Sequence, residues 1–183
     1  TFLKTNKVSL VIDADGINIL SKKKGLLKLL PEGPTVITPH PKELERLVGV
    51  WKDDFDKLEK VKKFSKAHDL IVVIKGANTI TVYDDKLYIN TTGNPGLATA
   101  GSGDVLTGII SGLIAQGYNP LVAAIFGVYL HGRSADIAVE DYGAGSKTLN
   151  NNDFILSKKL YRKVSISRKY GNVLFNLVVF SKT

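Results

Sequence analysis

The sequence contains no cysteine and no methionine in 183 residues. Without cysteine there is no disulfide and no thiolate-ligated metal, a composition compatible with a reducing compartment. Long apolar runs are missing too. The longest, Leu121 to Leu130, is too short to cross a bilayer and reads as a buried helix. No signal-peptide pattern is visible at Thr1. There are no internal repeats, no low-complexity tract and no linker, so the chain reads as one domain long enough for a real core. Several catalytic signatures are lacking: no Gly-x-x-x-x-Gly-Lys-Ser/Thr phosphate loop, and no serine–histidine–acid or cysteine–histidine order. The absence of methionine, together with a first residue Thr1, leads to the expectation that these residues are a piece of a longer protein.

Hydrophobic residues make up 44% of the chain, as in a soluble globular protein. The formal net charge is +8. That balance suits either nucleic acid or an anionic nucleotide or dinucleotide. The lysines are scattered over Lys22–Lys24, Lys57–Lys66 and Lys158–Lys169. They read as solvated helical faces, so nucleic acid and membrane are not expected partners.

Val8 to Ile12 is a predicted buried strand ending at Asp13-Ala14-Asp15-Gly16. Ile17 to Leu30 has a helical pattern, and Pro31-Glu32-Gly33-Pro34 is a turn. A second strand, Thr35 to Thr38, stops at Pro39-His40-Pro41, and Lys42 to Val48 follows as a short helix. Asp54 to His68 is the clearest amphipathic helix, with Phe55, Leu58, Val61 and Phe64 expected on one face. Leu70 to Ile74 is continuously apolar, as in a central parallel strand. Ile80–Tyr83 and Lys86–Asn90 flank Asp84-Asp85 as a hairpin. Helices are expected over Asp104–Gln116, Pro120 to about Glu140, and Phe154–Leu160, the last capped by Asn150-Asn151-Asn152-Asp153. Strands alternating with helices indicate an α/β sheet, mostly parallel and covered by helices.

The most informative stretch runs from Thr91 to Asp104 and ends in Gly101-Ser102-Gly103-Asp104, immediately before an apolar helix. Glycines there let the backbone approach a ligand, and the helix N-terminus favours an anion such as phosphate. Asp104 then stands either as a helix cap or as a base for a substrate hydroxyl. Other polar residues fall at strand carboxyl ends, where open α/β sheets bind ligands: Asp13, Asp15 and Asn18, then Thr38 and His40, then Lys75, Gly76 and Asn78. Each has a plainer alternative. His40 is a turn histidine or a ligand contact, and Lys75 a snorkelling surface lysine or a nucleotide contact. Asp13 and Asp15 are helix caps before they are cation ligands, and no metal site built from protein ligands is expected. Magnesium carried on phosphate needs few protein ligands. His131 and Trp51 read as packing residues.

Four stretches, in this order and spacing, carry a resemblance: Val11-Ile12-Asp13-Ala14-Asp15-Gly16-Ile17-Asn18, Thr38-Pro39-His40-Pro41-Lys42-Glu43, Lys75-Gly76-Ala77-Asn78-Thr79, and Gly93-Asn94-Pro95-Gly96 through Gly101-Ser102-Gly103-Asp104-Val105-Leu106. The chain resembles the ADP/ATP-dependent (S)-NAD(P)H-hydrate dehydratases of the ribokinase-like superfamily over about Asn6 to Leu160. The resemblance implies a three-layer α/β/α sandwich over residues 1–160, N-terminally incomplete, with 161–183 as a tail. The family's domain has a further N-terminal portion with more strands and a glycine-rich substrate loop. Beyond Leu160 the pattern fades into an apolar run, Val173–Phe180, either a further strand or a non-native end.

The implied activity is nucleotide-dependent dehydration of the S form of hydrated NADH or NADPH. By that resemblance Asp104 is the base. Lys75, Gly76, Ala77, Asn78, Thr79, Gly101, Ser102 and Gly103 lie along the nucleotide. His40, Asp104 and Asn18 contact the hydrated cofactor. ADP or ATP is the co-substrate, with Mg2+. A cytoplasmic homo-oligomer is implied, and family members are sometimes fused to an epimerase domain. The alternatives are a ribokinase-like kinase of a vitamin precursor, using the same Asp104, and an inactive nucleotide-binding fragment.

Overall fold

Two strand–helix units build the start of the sheet. In the computed structural model, which describes residues 8–142 together with Leu3 and Asn6, β1 (Val11–Ile12) leads into α1 (Ala14–Lys22), and β2 (Thr35–Ile37) into α2 (Pro41–Val48). Then follow α3 (Asp54–His68), β3 (Leu70–Ile74), the hairpin β4 (Ile80–Tyr83) and β5 (Lys86–Ile89), α4 (Ser102–Ala115) and α5 (Pro120–Tyr142). The sheet order is β1-β2-β3-β4-β5. β1, β2 and β3 run parallel, in register Val11↔Val36 and Val36↔Ile71, while β4 and β5 join antiparallel. Three strands therefore point their carboxyl ends the same way, and the hairpin extends the sheet without a crossover.

All five residues of β3 are buried, because the sheet is covered on both faces. Side chains alternate between two cores. Ile37, Leu70, Val72, Ile74 and Val82 meet Ile17 and Leu20 of α1, Leu44 and Leu47 of α2, and Val61 of α3. Val11, Val36, Ile71 and Val73 meet Leu106, Ile110 and Leu113 of α4 and Ala123, Ala124 and Val128 of α5. The result is three layers, α/β/α. Trp51 packs at the margin of the first core, as expected.

Some expected elements change shape. The first strand shortens to two residues, although the Leu10 carbonyl still accepts from the Val36 N–H at 2.8 Å. The Ile17–Leu30 helix is two pieces: α1 stops at Lys22, and Lys24–Leu29 is a 3₁₀ turn. Phe55 does not join the buried face of α3 and is 84% exposed. A helix turns roughly 100° per residue, so steps of three drift, and Phe55 stands about 180° around from Phe64. The expected helix Phe154–Leu160 and the run Val173–Phe180 lie outside the described residues.

Candidate functional site

The parallel strands deliver their following residues to one edge of the sheet. Asp13 follows β1, Thr38 to His40 follow β2, and Lys75 follows β3, held there by its N–H donating to the Pro39 carbonyl at 2.9 Å. Asp13 occupies the N-cap position of α1 but makes no cap hydrogen bond, contrary to its reading as a helix cap. Its buried carboxylate instead takes the Lys75 Nζ at 2.8 Å and the Thr107 hydroxyl at 3.1 Å. Lys75 is likewise not a snorkelling lysine, since its ammonium is drawn inward and paired. A buried carboxylate holds a nearby cation because neither has enough water to be stable alone. Ala14, at the strand-to-helix turn, has φ +46, a conformation L residues adopt at a cost.

The Gly101–Asp104 turn sits directly above this pair. Gly101 has φ +85, which only glycine takes without strain, and α4 starts with no side-chain cap. A Cβ at Gly103 would lie 3.4 Å from Lys75 Nζ and 3.6 Å from Asp13 Oδ2. The helix N-terminus and the ammonium thus face the same small volume, as an anion requires. Asp104 is exposed in the first turn of α4 and makes no hydrogen bond or ion pair among the described residues. The Thr107 hydroxyl, one turn on, lies 3.1 Å from Asp13 Oδ2 and 3.0 Å from the Gly103 carbonyl and shares its one proton between them, tying the helix start to the Asp13–Lys75 pair.

A cleft of about 640 Å³ opens beside the turn. Lys75, Gly76, Ala77 and Thr79 line it with Ser102 and Gly103, and residues 92–95 and 97–99 form a further stretch of its wall. Of the nucleotide-contact candidates, Asn78 and Gly101 do not line it, although both adjoin residues that do. His131 lies on the cleft floor, buried, with Nε2 3.2 Å from the Ser102 hydroxyl. Burial pushes its imidazole down to about 4, so the ring is neutral at physiological pH.

None of the substrate candidates, His40, Asn18 and Asp104, lines this cleft. His40 caps α2: its Nδ1 accepts from the Lys42 and Glu43 N–H groups at 3.1 and 3.4 Å, while Glu43 accepts from the His40 N–H at 3.0 Å. The ring is nonetheless 46% exposed. Asn18 accepts from Arg46 at 2.7 Å, bridging α1 and α2. Sequence reasoning missed Thr107, His131's place in the cleft, and Asp136, which holds Gly93 and Asn94. The first had a signal, a hydroxyl one turn after Gly103; the others come from contacts between distant segments.

A three-layer α/β/α fold with a glycine turn, a helix N-terminus and a paired lysine at the strand carboxyl ends defines a ribokinase-like protein. Similarity to Thermotoga maritima ribokinase, at TM-score 0.51 and 20% identity over 88% of this chain and 51% of that one, concerns the fold alone. More specifically, the sequence model of the family described as NAD(P)H-hydrate dehydratase matches residues 1–156, and the chain belongs to that family. It is 47% identical over 140 residues to the bifunctional NAD(P)H-hydrate repair enzyme of Moorella thermoacetica, covering 75% of this chain and 26% of that protein. It is 43% identical over 143 residues to the ADP-dependent (S)-NAD(P)H-hydrate dehydratase of Neisseria meningitidis, covering 76% and 48%. The structure of the Bacillus subtilis ADP/ATP-dependent NAD(P)H-hydrate dehydratase, co-crystallized with ATP/Mg2+, matches at TM-score 0.71 and 27% identity, covering 87% and 56%. The chain thus spans from about a quarter to about a half of each of these relatives. Among the described residues no helix is long and apolar enough to cross a membrane.

Proposed function

We propose that this chain carries the nucleotide and catalytic half of an enzyme that dehydrates the S form of hydrated NADH or NADPH at the expense of ADP or ATP. The supporting observation is the small volume that the α4 N-terminus at Gly103 shares with the Lys75 ammonium, with the exposed Asp104 carboxylate in the first turn of the same helix. Lys75, Gly76, Ala77, Asn78 and Thr79 would run along the nucleotide, and Gly101, Ser102 and Gly103 would take its transferring phosphoryl group. Asp104 would accept the proton of the hydrated ring's hydroxyl as that oxygen bonds to phosphorus and the nucleotide's leaving oxygen departs. Breaking the ring C–O bond then releases phosphate, and loss of a ring proton restores the dihydronicotinamide. The N–H groups and Lys75 stabilise charge on the phosphoryl oxygens. His40 and Asn18, on the neighbouring loop and helix, would meet the hydrated cofactor.

The donor set bears on magnesium. Among the described residues no three or more histidine or carboxylate groups gather to hold a metal. Asp13, the nearest buried carboxylate, is occupied by Lys75 and Thr107. The residues present fit Mg2+ brought on the nucleotide's phosphates, where it would neutralise charge, rather than a cage of protein ligands. The reading extends to residues 1–160 as one domain with 161–183 as a tail, to a cytoplasmic homo-oligomer, and to fusion with an epimerase domain. The relatives named bifunctional repair enzymes support that last point.

The test is turnover of hydrated NADH with ADP or ATP, followed by returning near-ultraviolet absorbance, alongside nucleotide-dependent thermal shift. Asp104→Asn is expected to abolish recovery, a drop of at least about 10²-fold, while keeping the thermal shift. A stable phosphate ester of a small alcohol as product would instead identify a kinase.

A further inference from the structure

One wall of the cleft is anchored from outside it. Residues 92–95 and 97–99 line the cavity, yet Asp136 of α5, which accepts from Gly93 and Asn94, does not. Asp136 Oδ2 accepts from the Gly93 N–H at 3.0 Å, and Oδ1 accepts from Asn94 Nδ2 at 3.1 Å. Asn94 passes the constraint onward: its own Oδ1 accepts from the Gly96 N–H at 2.9 Å and caps the Pro95–Leu97 turn. The chain enters this turn pressed on the same helix. The Thr92 hydroxyl donates to the Tyr129 carbonyl at 3.1 Å, and a Cβ on Gly132 would come within 2.7 Å of the Thr92 carbonyl oxygen.

The tie is distinct from the packing that holds α5. That helix is fixed by Ala123, Ala124 and Val128 against α4 and the sheet. Gly93, at φ +105, takes a backbone conformation that L side chains rarely adopt, and it leans on a carboxylate more than 40 residues away in sequence. Leu97 also packs on Ala135 and Ala138 of α5, so removing that carboxylate would loosen the wall at Gly93 and Asn94 and leave the core. A wall ordered only when a ligand arrives weakens binding by the cost of ordering it.

We propose that Asp136 is a positioning residue for nucleotide recognition, holding the 93–99 wall through Gly93 and Asn94 in the shape that receives the nucleotide. This rests on the reading of the cleft as a nucleotide site. The carboxylate does not touch the nucleotide, so its loss would act through affinity rather than through the chemical step.

The experiment measures ADP affinity by calorimetry and amide exchange by mass spectrometry, on the full chain and on Asp136→Ala, Asp136→Asn, Asn94→Asp and the double variant Asp136→Asn/Asn94→Asp. Asp136→Ala is expected to weaken ADP about tenfold, the scale of one charge-assisted hydrogen bond, and to speed exchange over 93–99 but not over β3. Asp136→Asn sets two amides' donors face to face, and Asn94→Asp sets two carboxylates face to face, so each alone loosens the wall. The double variant exchanges the two partners, restores every acceptor and donor of the relay, and is expected to return to within about twofold of the parent. Unchanged exchange at 93–99 in Asp136→Ala overturns the proposal, as does unchanged ADP affinity with a loosened wall, or a double variant no better than the singles. If Asp136→Ala does not fold, the two singles and the double decide the matter alone. A parent chain that binds neither ADP nor ATP defeats the nucleotide reading instead, and the exchange data still show whether Asp136 holds the wall.

Discussion

Asp13 is a buried carboxylate whose partners are more informative than its position at a helix start. Its side chain is 8% exposed and depends on Lys75 for its counter-charge. Lys75→Met is expected to destabilise the fold by about 2 kcal/mol in urea unfolding, because an unpaired carboxylate stays behind. In an Asp13→Asn background the same change is expected to cost under about 0.5 kcal/mol, and equal costs in both backgrounds would mean the pair is not coupled. His131 provides a second test. Its folded-state imidazole sits at about 4, lowered by burial, against 6.5 unperturbed. Between those values the unfolded chain binds the extra proton, so stability is full above the unfolded value and declines as pH falls through the window. The expected slope is up to about 1.4 kcal/mol per pH unit. His131→Gln, which keeps a polar group toward Ser102, is expected to remove that slope from pH-dependent urea unfolding.

At the scale of elements, close approach and capping decide what the site tolerates. Gly132 on α5 faces Thr92 so closely that a Cβ would lie 2.3 Å from its hydroxyl oxygen. Gly132→Ala is therefore expected to cost about 2 kcal/mol and to disturb the cleft wall, since helix and loop backbones must separate. For His40, the capping role and the proposed contact with the hydrated cofactor can be told apart. As the cap of α2 it is replaceable by asparagine, whereas His40→Ala is expected to lose about 1 kcal/mol. His40→Asn should keep thermal stability and still lose turnover of hydrated NADH; full activity in that variant would mean the ring does no more than cap.

On the scale of the whole molecule, β3 is the strand on which both halves depend. Val72 faces the core under α1–α3, and Val73 the core under α4 and α5. Each Val→Ala is expected to cost about 2 kcal/mol by urea unfolding, because both sites are fully buried. A cost at one position only would mean that one helical layer contributes little to stability.

Much of this was legible in the residues themselves. Apolar runs bounded by turn residues placed β3, the hairpin and α3, because burial and turn chemistry act on neighbours in sequence. The glycine turn before α4 and the polar residues after each parallel strand marked the candidate site, because strand direction sends those residues to one edge. What tertiary structure alone decided was which of them meet. Asp13 left its helix cap for Lys75, 62 residues away, and Thr107 joined them from 94 residues away. Asp136 reached back to Gly93, and His131 reached Ser102. A side chain's local pattern states what it could bind. Only packing brings the distant partner within about 3 Å and withdraws the water that would otherwise compete for it.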